Sequence, residues 1–288
     1  MTINLPQRFV IATHPSRTSL VEGIHTFVNH LKNAGAKQVD TYTINDPELK
    51  RIVEAREIDV LIALGGDGTI LRASHLVAPV GIPLLGINRG RFGFLMEVEE
   101  DECEQRFKQL IQGDFHFENR MMLRARHFRQ EQLLGEWHVL NEVILCRGNV
   151  VRPIQVKAHM DGYLIASYVA DGVIASTATG STAYALAVGG PIMPPELRNI
   201  LIVPVAPHLS MSQSIILSEG DQVNLTVKTS HEVVISADGQ YPVHLQNKDE
   251  IAIDASNYTI RFIRFRDRGY FYRNLHKYME QNPIAGEL

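Results

Sequence analysis

The run Val60-Leu61-Ile62-Ala63-Leu64 contains no polar residue and ends directly on Gly65-Gly66-Asp67-Gly68-Thr69. A short, wholly apolar run of this kind is expected of a strand covered on both faces. Ile70 to Leu76 then reads as a helix. In open α/β sheets, ligands bind beyond the carboxyl ends of the strands. Three glycines at such a place remove side chains, so a bulky ligand can approach the backbone. The start of the helix offers N–H groups and a partial positive charge to an anion. Asp67 is the lone carboxylate in the turn, placed to accept or orient a hydroxyl proton. A plainer reading of the same residues is a tight strand-to-helix turn with Asp67 as a cap.

The flanking sequence supports the strand-to-helix setting. Arg8 to Ala12 reads as a strand. Leu20, Val21, Ile24, Phe27, Val28 and Leu31 recur at helix spacing, with Gly35 as a stop. Val39 to Thr43 reads as a strand, Asp46 to Arg56 as a helix opened by an N-cap, and Ile82 to Ile87 as another apolar strand. A further helix carries Cys103, Phe107, Leu110 and Ile111 on one face. Such alternation implies a Rossmann-like parallel sheet flanked by helices.

From about Met121 the texture changes. Val139–Cys146, Ile154–Met160, Leu164–Val169, Val223–Val227 and Val233–Ala237 are short runs separated by turn residues, among them Asp161-Gly162 and Asp238-Gly239. This part is expected to be mostly antiparallel β, with one helix beginning near Ser181 and another after Tyr272. The expected fold is an α/β N-terminal domain over residues 1–119 and a mostly antiparallel, all-β C-terminal domain over 120–265. A C-terminal segment, 266–288, follows.

Composition excludes several classes. With 288 residues, 45% apolar and 21% charged, the chain is an ordinary globular one. Its net charge of −4 argues against a surface built for a nucleic-acid backbone. The interleaved Arg261-Phe262-Ile263-Arg264-Phe265-Arg266 is therefore read as an alternating strand with an arginine-bearing outer face, ahead of a docking helix. Two distant cysteines, Cys103 and Cys146, cannot form a disulfide framework, which fits a reducing compartment. Apolar runs fall far short of the roughly 20 residues of a membrane helix. The first eight residues hold no apolar leader segment, so a cytoplasmic protein is expected. Asn224-Leu225-Thr226 and Asn257-Tyr258-Thr259 match the glycosylation pattern by chance on that reading.

Other constellations follow the first. Asn88-Arg89-Gly90-Arg91-Phe92-Gly93-Phe94-Leu95 is a second glycine-bearing loop after the next strand. Asp171 to Tyr184 crowds hydroxyls, including Thr179, Ser181 and Thr182, around Gly180 ahead of the helical stretch. They suit ribose and phosphate oxygens, or one of them caps a helix. Asn141-Glu142 puts two polar residues inside an apolar strand, where they need partners from a ligand or a local bulge. There is no Gly-x4-Gly-Lys-Ser/Thr loop, no His-Glu-x-x-His and no Gly-x-Ser-x-Gly. Leu71 stands where a dinucleotide fingerprint wants its last glycine.

Together these blocks resemble the bacterial NAD kinases: Gly65–Thr69; Asn88-Arg89-Gly90 with Gly93-Phe94-Leu95; Asn141-Glu142; and Asp171-Gly172 through Thr177–Tyr184 with Gly189-Gly190-Pro191. The first block alone is shared with diacylglycerol-type lipid kinases. The departures are Ala178, where proline is common, Met193-Pro194-Pro195, and Gln213-Ser214. The resemblance implies phosphoryl transfer from ATP, or polyphosphate, to NAD, with a divalent metal, usually Mg²⁺. It implies a homodimer or homotetramer whose C-terminal segment packs back on the first domain. Asp67 matches the catalytic aspartate, and Gly68 and Arg72 the same nucleotide-binding turn. Asn141 and Glu142 match the pair that holds the dinucleotide. Arg152, Asp171, Thr182, Ala183, Tyr184, Ala185, Leu186 and Ala187 match further binding positions, joined by Asn88, Thr179, Ser181, Ala206 and Gln240. A lipid kinase and a non-catalytic NAD-binding regulator are the alternatives.

Overall fold

A computed structural model describes residues 5–14, 21–89 and 93–280 of the chain. Leu20, the Gly90–Phe92 part of the second loop, and residues 281–288 of the expected C-terminal segment lie outside the described residues. The chain divides into two compact units, residues 1–119 with 260–288, and residues 120–259.

The first unit runs β1 (Arg8–Thr13), α1 (Val21–Ala34), β2 (Gln38–Thr43), α2 (Pro47–Glu54), β3 (Val60–Gly65), α3 (Asp67–Val77), β4 (Leu84–Asn88), β5 (Val98–Glu99) and α4 (Cys103–Gln112). β1 lies between β2 and β3, and β3 pairs β4, all in parallel. β3 is buried at every position, as its unbroken apolar run requires. Phe27 and Leu31 of α1 and Phe107 and Leu110 of α4 pack with the β1, β3 and β4 side chains into one core. α2 starts where the sequence indicates, with Asp46 accepting from Glu48 N–H and Pro47 in the first turn. Gly35, at φ 113°, ends α1.

β6 (His116–Arg129) leads into the second unit, followed by β7 (Gln132–Val139), β8 (Glu142–Arg147), β9 (Ile154–Met160), β10 (Tyr163–Ala170), β11 (Gly172–Ser176), the single turn α5 (Tyr184–Ala187), β12 (Asn199–Val205), β13 (Ile215–Ser218), β14 (Val223–Lys228), β15 (Val233–Ala237), β16 (Val243–Leu245) and β17 (Glu250–Arg264). A six-stranded sheet has the order β13-β12-β11-β8-β15-β16, every pair antiparallel. β10, β9, β14 and the start of β17 form a second antiparallel layer. One core joins the two, with Val143, Leu145 and Ile235 from the first and Val156, Tyr168 and Leu225 from the second. The α/β and antiparallel-β expectation thus holds. From Ile260, β17 belongs to the first unit, where Phe262 pairs Leu84 in parallel and α6 (Tyr270–Glu280) follows.

Three expectations need correction. Val139–Cys146 is not one strand but breaks at Leu140-Asn141. The helix expected near Ser181 is a 3-10 turn, Gly180–Thr182, and then the four residues of α5, because Ala183 leaves helical geometry at φ −100°, ψ −127°. The arginines at the end of β17 do not share one outer face: Arg264 is buried, while Arg261 is partly exposed.

One buried charge cluster braces the second unit. Asp249 accepts from Arg129 Nε and Nη2, both at 2.8 Å, and from Gln246 N–H at 2.8 Å, and lies 2.7 Å from His127 Nε2. Burial pushes its carboxyl upward, but Arg129, the Gln246 N–H and His127 outweigh that and hold it down at about 2. A depressed carboxyl adds stability above its unfolded value, and that stability drains away as pH falls toward 2. Asp249→Asn is expected to lower the unfolding free energy at neutral pH by about 3 kcal/mol. In urea titrations its penalty should shrink as pH drops below 4.

Candidate functional site

In the first unit, β3 and β4 end side by side, with Gly65 opposite Asn88 in the register. α3 begins at once, but its N-cap is Gly66, which makes no side-chain cap bond. Asp67 is not the cap. Its carboxylate reaches across to the loop after β4, accepting Phe94 N–H on Oδ2 at 2.9 Å and Leu95 N–H on Oδ1 at 3.1 Å. The glycines divide by role. A Cβ on Gly93 would lie 2.2 Å from Asp67 Oδ1, and one on Gly65 2.5 Å from Thr69 Oγ1, so packing demands both. A Cβ on Gly66 or Gly68 would meet nothing within 4 Å. Packing does not require those two, and the space before them is open. Arg72 is exposed on α3. Asn88 is buried. Its Nδ2 donates to Glu99 Oε2 at 2.8 Å, while its Oδ1 has no hydrogen-bond partner.

In the second unit the break at Leu140-Asn141 is held by Asp238. Its carboxylate accepts three successive N–H groups, from Leu140 at 2.7 Å, Asn141 at 2.9 Å and Glu142 at 3.0 Å. Asn141 therefore stands at a corner between β7 and β8, and Glu142 is the first residue of β8 rather than its middle. The hydroxyl-rich segment packs onto this corner. Thr177 Oγ1 donates to Leu140 O at 2.6 Å and accepts Gly180 N–H at 3.0 Å, and Thr177 N–H bonds Asn141 O at 2.9 Å. A Cβ on Gly180 would lie 2.2 Å from Asn141 O. Ser181 Oγ accepts Met193 N–H at 3.0 Å, and Thr182 Oγ1 donates to Thr179 O at 3.0 Å. These hydroxyls serve the turn itself. Thr179 Oγ1 and Glu142 Oε2 are buried with no hydrogen-bond partner. Tyr184 N–H does bond the Glu142 carboxyl.

The Glu142 carboxyl is pushed up to about 8 by burial and by the nearby negative charge of Asp238, against the opposing Tyr184 N–H. At neutral pH it holds its proton, so it can donate as well as accept.

The remaining positions group unevenly. Ala185 is buried, and its carbonyl takes Gly190 N–H at 2.8 Å, whereas Tyr184 and Ala187 are exposed and Ala183 and Leu186 partly so. Asp171 sits 3.2 Å from Arg147 Nε and 3.6 Å from His208 Nε2, and its N–H bonds Val205 O, next to exposed Ala206. Gln240 is exposed two residues past Asp238, its carbonyl accepting Ser236 Oγ at 2.8 Å. Arg152 is exposed, and its carbonyl lies 3.0 Å from His231 Nε2. Asp238, Thr177 and Arg147 were not picked out as site residues from the sequence. Asp238-Gly239 carried a turn signal and a weaker part of the resemblance.

The family profile for the ATP-NAD kinase N-terminal domain matches residues 21–115, and that for the C-terminal domain residues 140–265. This chain belongs to the NAD kinase family. An NAD kinase of Heliobacterium modesticaldum is 39% identical over 236 residues, 82% of each chain. One of Natranaerobius thermophilus is 35% identical over 92% of each. A yeast NADH kinase solved with NADH superposes with a TM-score of 0.84 at 25% identity, covering 96% of this chain and 89% of its own. An Archaeoglobus fulgidus NAD kinase shares the fold, with a TM-score of 0.72 at 24% identity over 95% of this chain and 99% of its own. The resemblance drawn from the four blocks is upheld. Among the described residues, no helix is long and apolar enough to cross a membrane.

The raised Glu142 carboxyl has a testable sign. A carboxyl lifted in the folded state costs stability as pH rises from its unfolded value toward 8. Glu142→Gln mimics the protonated acid. It should match the parent in chemical denaturation near pH 5 and exceed it near about pH 8.

Proposed function

We propose that this chain is an NAD kinase that transfers the γ-phosphoryl group of ATP to the 2′-hydroxyl of the adenosine ribose of NAD, giving NADP. The observation that carries the reading is the Asp67 carboxylate, oriented by the Phe94 and Leu95 N–H groups beside the open backbone of Gly66 and Gly68. Each carboxylate oxygen holds one of these N–H donors, and a carboxylate has capacity to accept more. Asp67 can therefore take the proton of an incoming hydroxyl without surrendering its position. Phosphoryl transfer passes through a loose transition state, so positioning and charge neutralisation do most of the catalysis.

The charge on the triphosphate is met by the exposed Arg72 and by the start of α3. Among the described residues, no group of three or more His, Cys, Asp or Glu side chains could hold a metal ion. On this reading Mg²⁺ enters on the nucleotide as part of the substrate, where it keeps its waters and needs few protein carboxylates. Asn141 and Glu142 are assigned to the dinucleotide, as are Thr179 and Asn88. The unmatched oxygens of Glu142, Thr179 and Asn88 are buried and gain partners from ribose and amide groups. Gly68, Asp171, Arg152, Ser181, Thr182, Ala183, Tyr184, Ala185, Leu186, Ala187, Ala206 and Gln240 complete the assigned set, on the strength of the resemblance. The chain works in the cytoplasm on this reading, in keeping with two free cysteines. It assembles as a homodimer or homotetramer, in keeping with well-exposed Val151, Tyr163 and Tyr241.

The test is a coupled assay with NAD, ATP and Mg²⁺ in which an NADP-specific dehydrogenase reads the product. NADP should accumulate. Inorganic polyphosphate in place of ATP tests the other donor. Asp67→Asn should still bind NAD and lose roughly 10²–10⁴ in kcat. NAD binding with no NADP under any donor would indicate a regulator, and near-parental kcat in Asp67→Asn would remove that residue from its role.

A further inference from the structure

Arg264 is 5% exposed, as is Glu97, and both lie in the first unit. Arg264 Nη1 donates to Leu95 O at 3.3 Å, to Met96 O at 3.4 Å and to Glu97 Oε2 at 3.3 Å. Its Nε and Nη2 donate to Glu118 Oε1 at 3.1 and 3.0 Å. Glu97 Oε1 in turn accepts Phe265 N–H at 2.8 Å and Arg266 N–H at 3.1 Å, which fixes the backbone that carries the arginine. Glu97 N–H bonds Gly86 O at 3.1 Å, tying the same segment to β4.

Burying a guanidinium and carboxylates is expensive, and well-packed apolar residues of similar volume often serve stability as well or better. The geometry gives this cluster a further use. Leu95 is held at both ends, its N–H donating to Asp67 Oδ1 and its carbonyl accepting from Arg264. One residue thus separates the buried fork from the carboxylate assigned as the base. The neighbouring Phe94 N–H holds the other oxygen of that carboxylate, and the close approach of Gly93 leaves little slack. A planar guanidinium can span two carbonyls and two carboxylates at once, which an ammonium cannot.

We propose that Arg264, braced by Glu97 and Glu118, is a positioning residue for phosphoryl transfer: it locks the Leu95–Met96 carbonyls and so sets where the Phe94 and Leu95 N–H groups hold Asp67. The proposal rests on Asp67 acting as the base. Arg264 touches no substrate in this role, so its loss acts on turnover and not on binding.

The test is a double-mutant cycle on the full-length enzyme, using the coupled assay, with folding checked by circular dichroism and thermal melting. Arg264→Lys keeps the positive charge and loses the fork. Its kcat should fall about 10²-fold, the scale of a small misplacement at a reacting centre. KM for NAD and for ATP should stay within about twofold. Combined with Asp67→Asn, Arg264→Lys should cause no further loss, because the group it positions has gone. Glu118→Gln, which loosens the same fork from a less buried side, should show a smaller fall with the same silence, and it decides the matter where Arg264→Lys does not fold. Parental kcat in the folded variants, a loss confined to KM, or equal losses in both backgrounds would overturn the proposal. Undiminished turnover in Asp67→Asn alone would instead remove the base, and the positioning role with it. Inactive Asp67→Asn beside fully active Arg264→Lys would remove only the positioning role.

Discussion

The bond between the Asp67 carboxylate and the Phe94 and Leu95 N–H groups is the constraint on which the first unit's site depends. Two strand ends placed side by side by parallel pairing have no reason of their own to share a fixed geometry, because the loops beyond them are free of the ladder. The carboxylate supplies that reason. It draws the loop after β4 against the start of α3, close enough that only glycine fits at position 93. α3 itself is capped by a bare glycine, Gly66. The side chain that could have satisfied the helix's own amides is used across the sheet instead. On the proposed function, a side chain oriented by two backbone donors is preorganised for proton transfer, and a cap would have been oriented toward its own helix.

The second unit repeats the device with a different outcome. Asp238 gathers three successive N–H groups and holds the bend at Leu140-Asn141, from which Glu142 opens β8. Its charge then raises the carboxyl of its neighbour Glu142, already lifted by burial. One aspartate therefore both shapes the corner and adds to the upward push that burial gives the Glu142 carboxyl. The hydroxyls of Ser181 and Thr182 bond inside the turn, and that of Thr177 bonds the Leu140 carbonyl of the corner. Only Thr179 and Glu142 of this segment pair keep a buried oxygen unmatched.

Much of this was legible from local sequence, and the exceptions share a cause. The apolar run Val60–Leu64, the Asp46 cap and the Gly35 stop each depend on neighbours a few residues away, and each lies where the pattern indicates. Gly65–Thr69 was recognisable because its glycines and carboxylate are contiguous. The partners of Asp67 lie 27 and 28 residues on, those of Asp238 up to 98 residues back, and Arg264 meets Leu95 across 169 residues. No period or turn signal encodes such pairings. For that reason Asp238-Gly239 read locally as a turn, Asn141-Glu142 read as the middle of a strand, and Arg264 read as an outward charge. The brief helix after Gly180 was overestimated for a related reason. Ser and Thr before a small-residue run look like a cap, yet Ser181 bonds to Met193 and Ala183 leaves the helical region.

Hydrogen exchange at two backbone amides tests the central tie most directly. In the ¹⁵N-labelled protein, the amides of Phe94 and Leu95 should exchange slowly. In Asp67→Ala they should speed up together while the β3 and β4 amides keep their protection. Unchanged protection of Phe94 and Leu95 in that variant would contradict the account, since the loop would then be held by something other than the carboxylate.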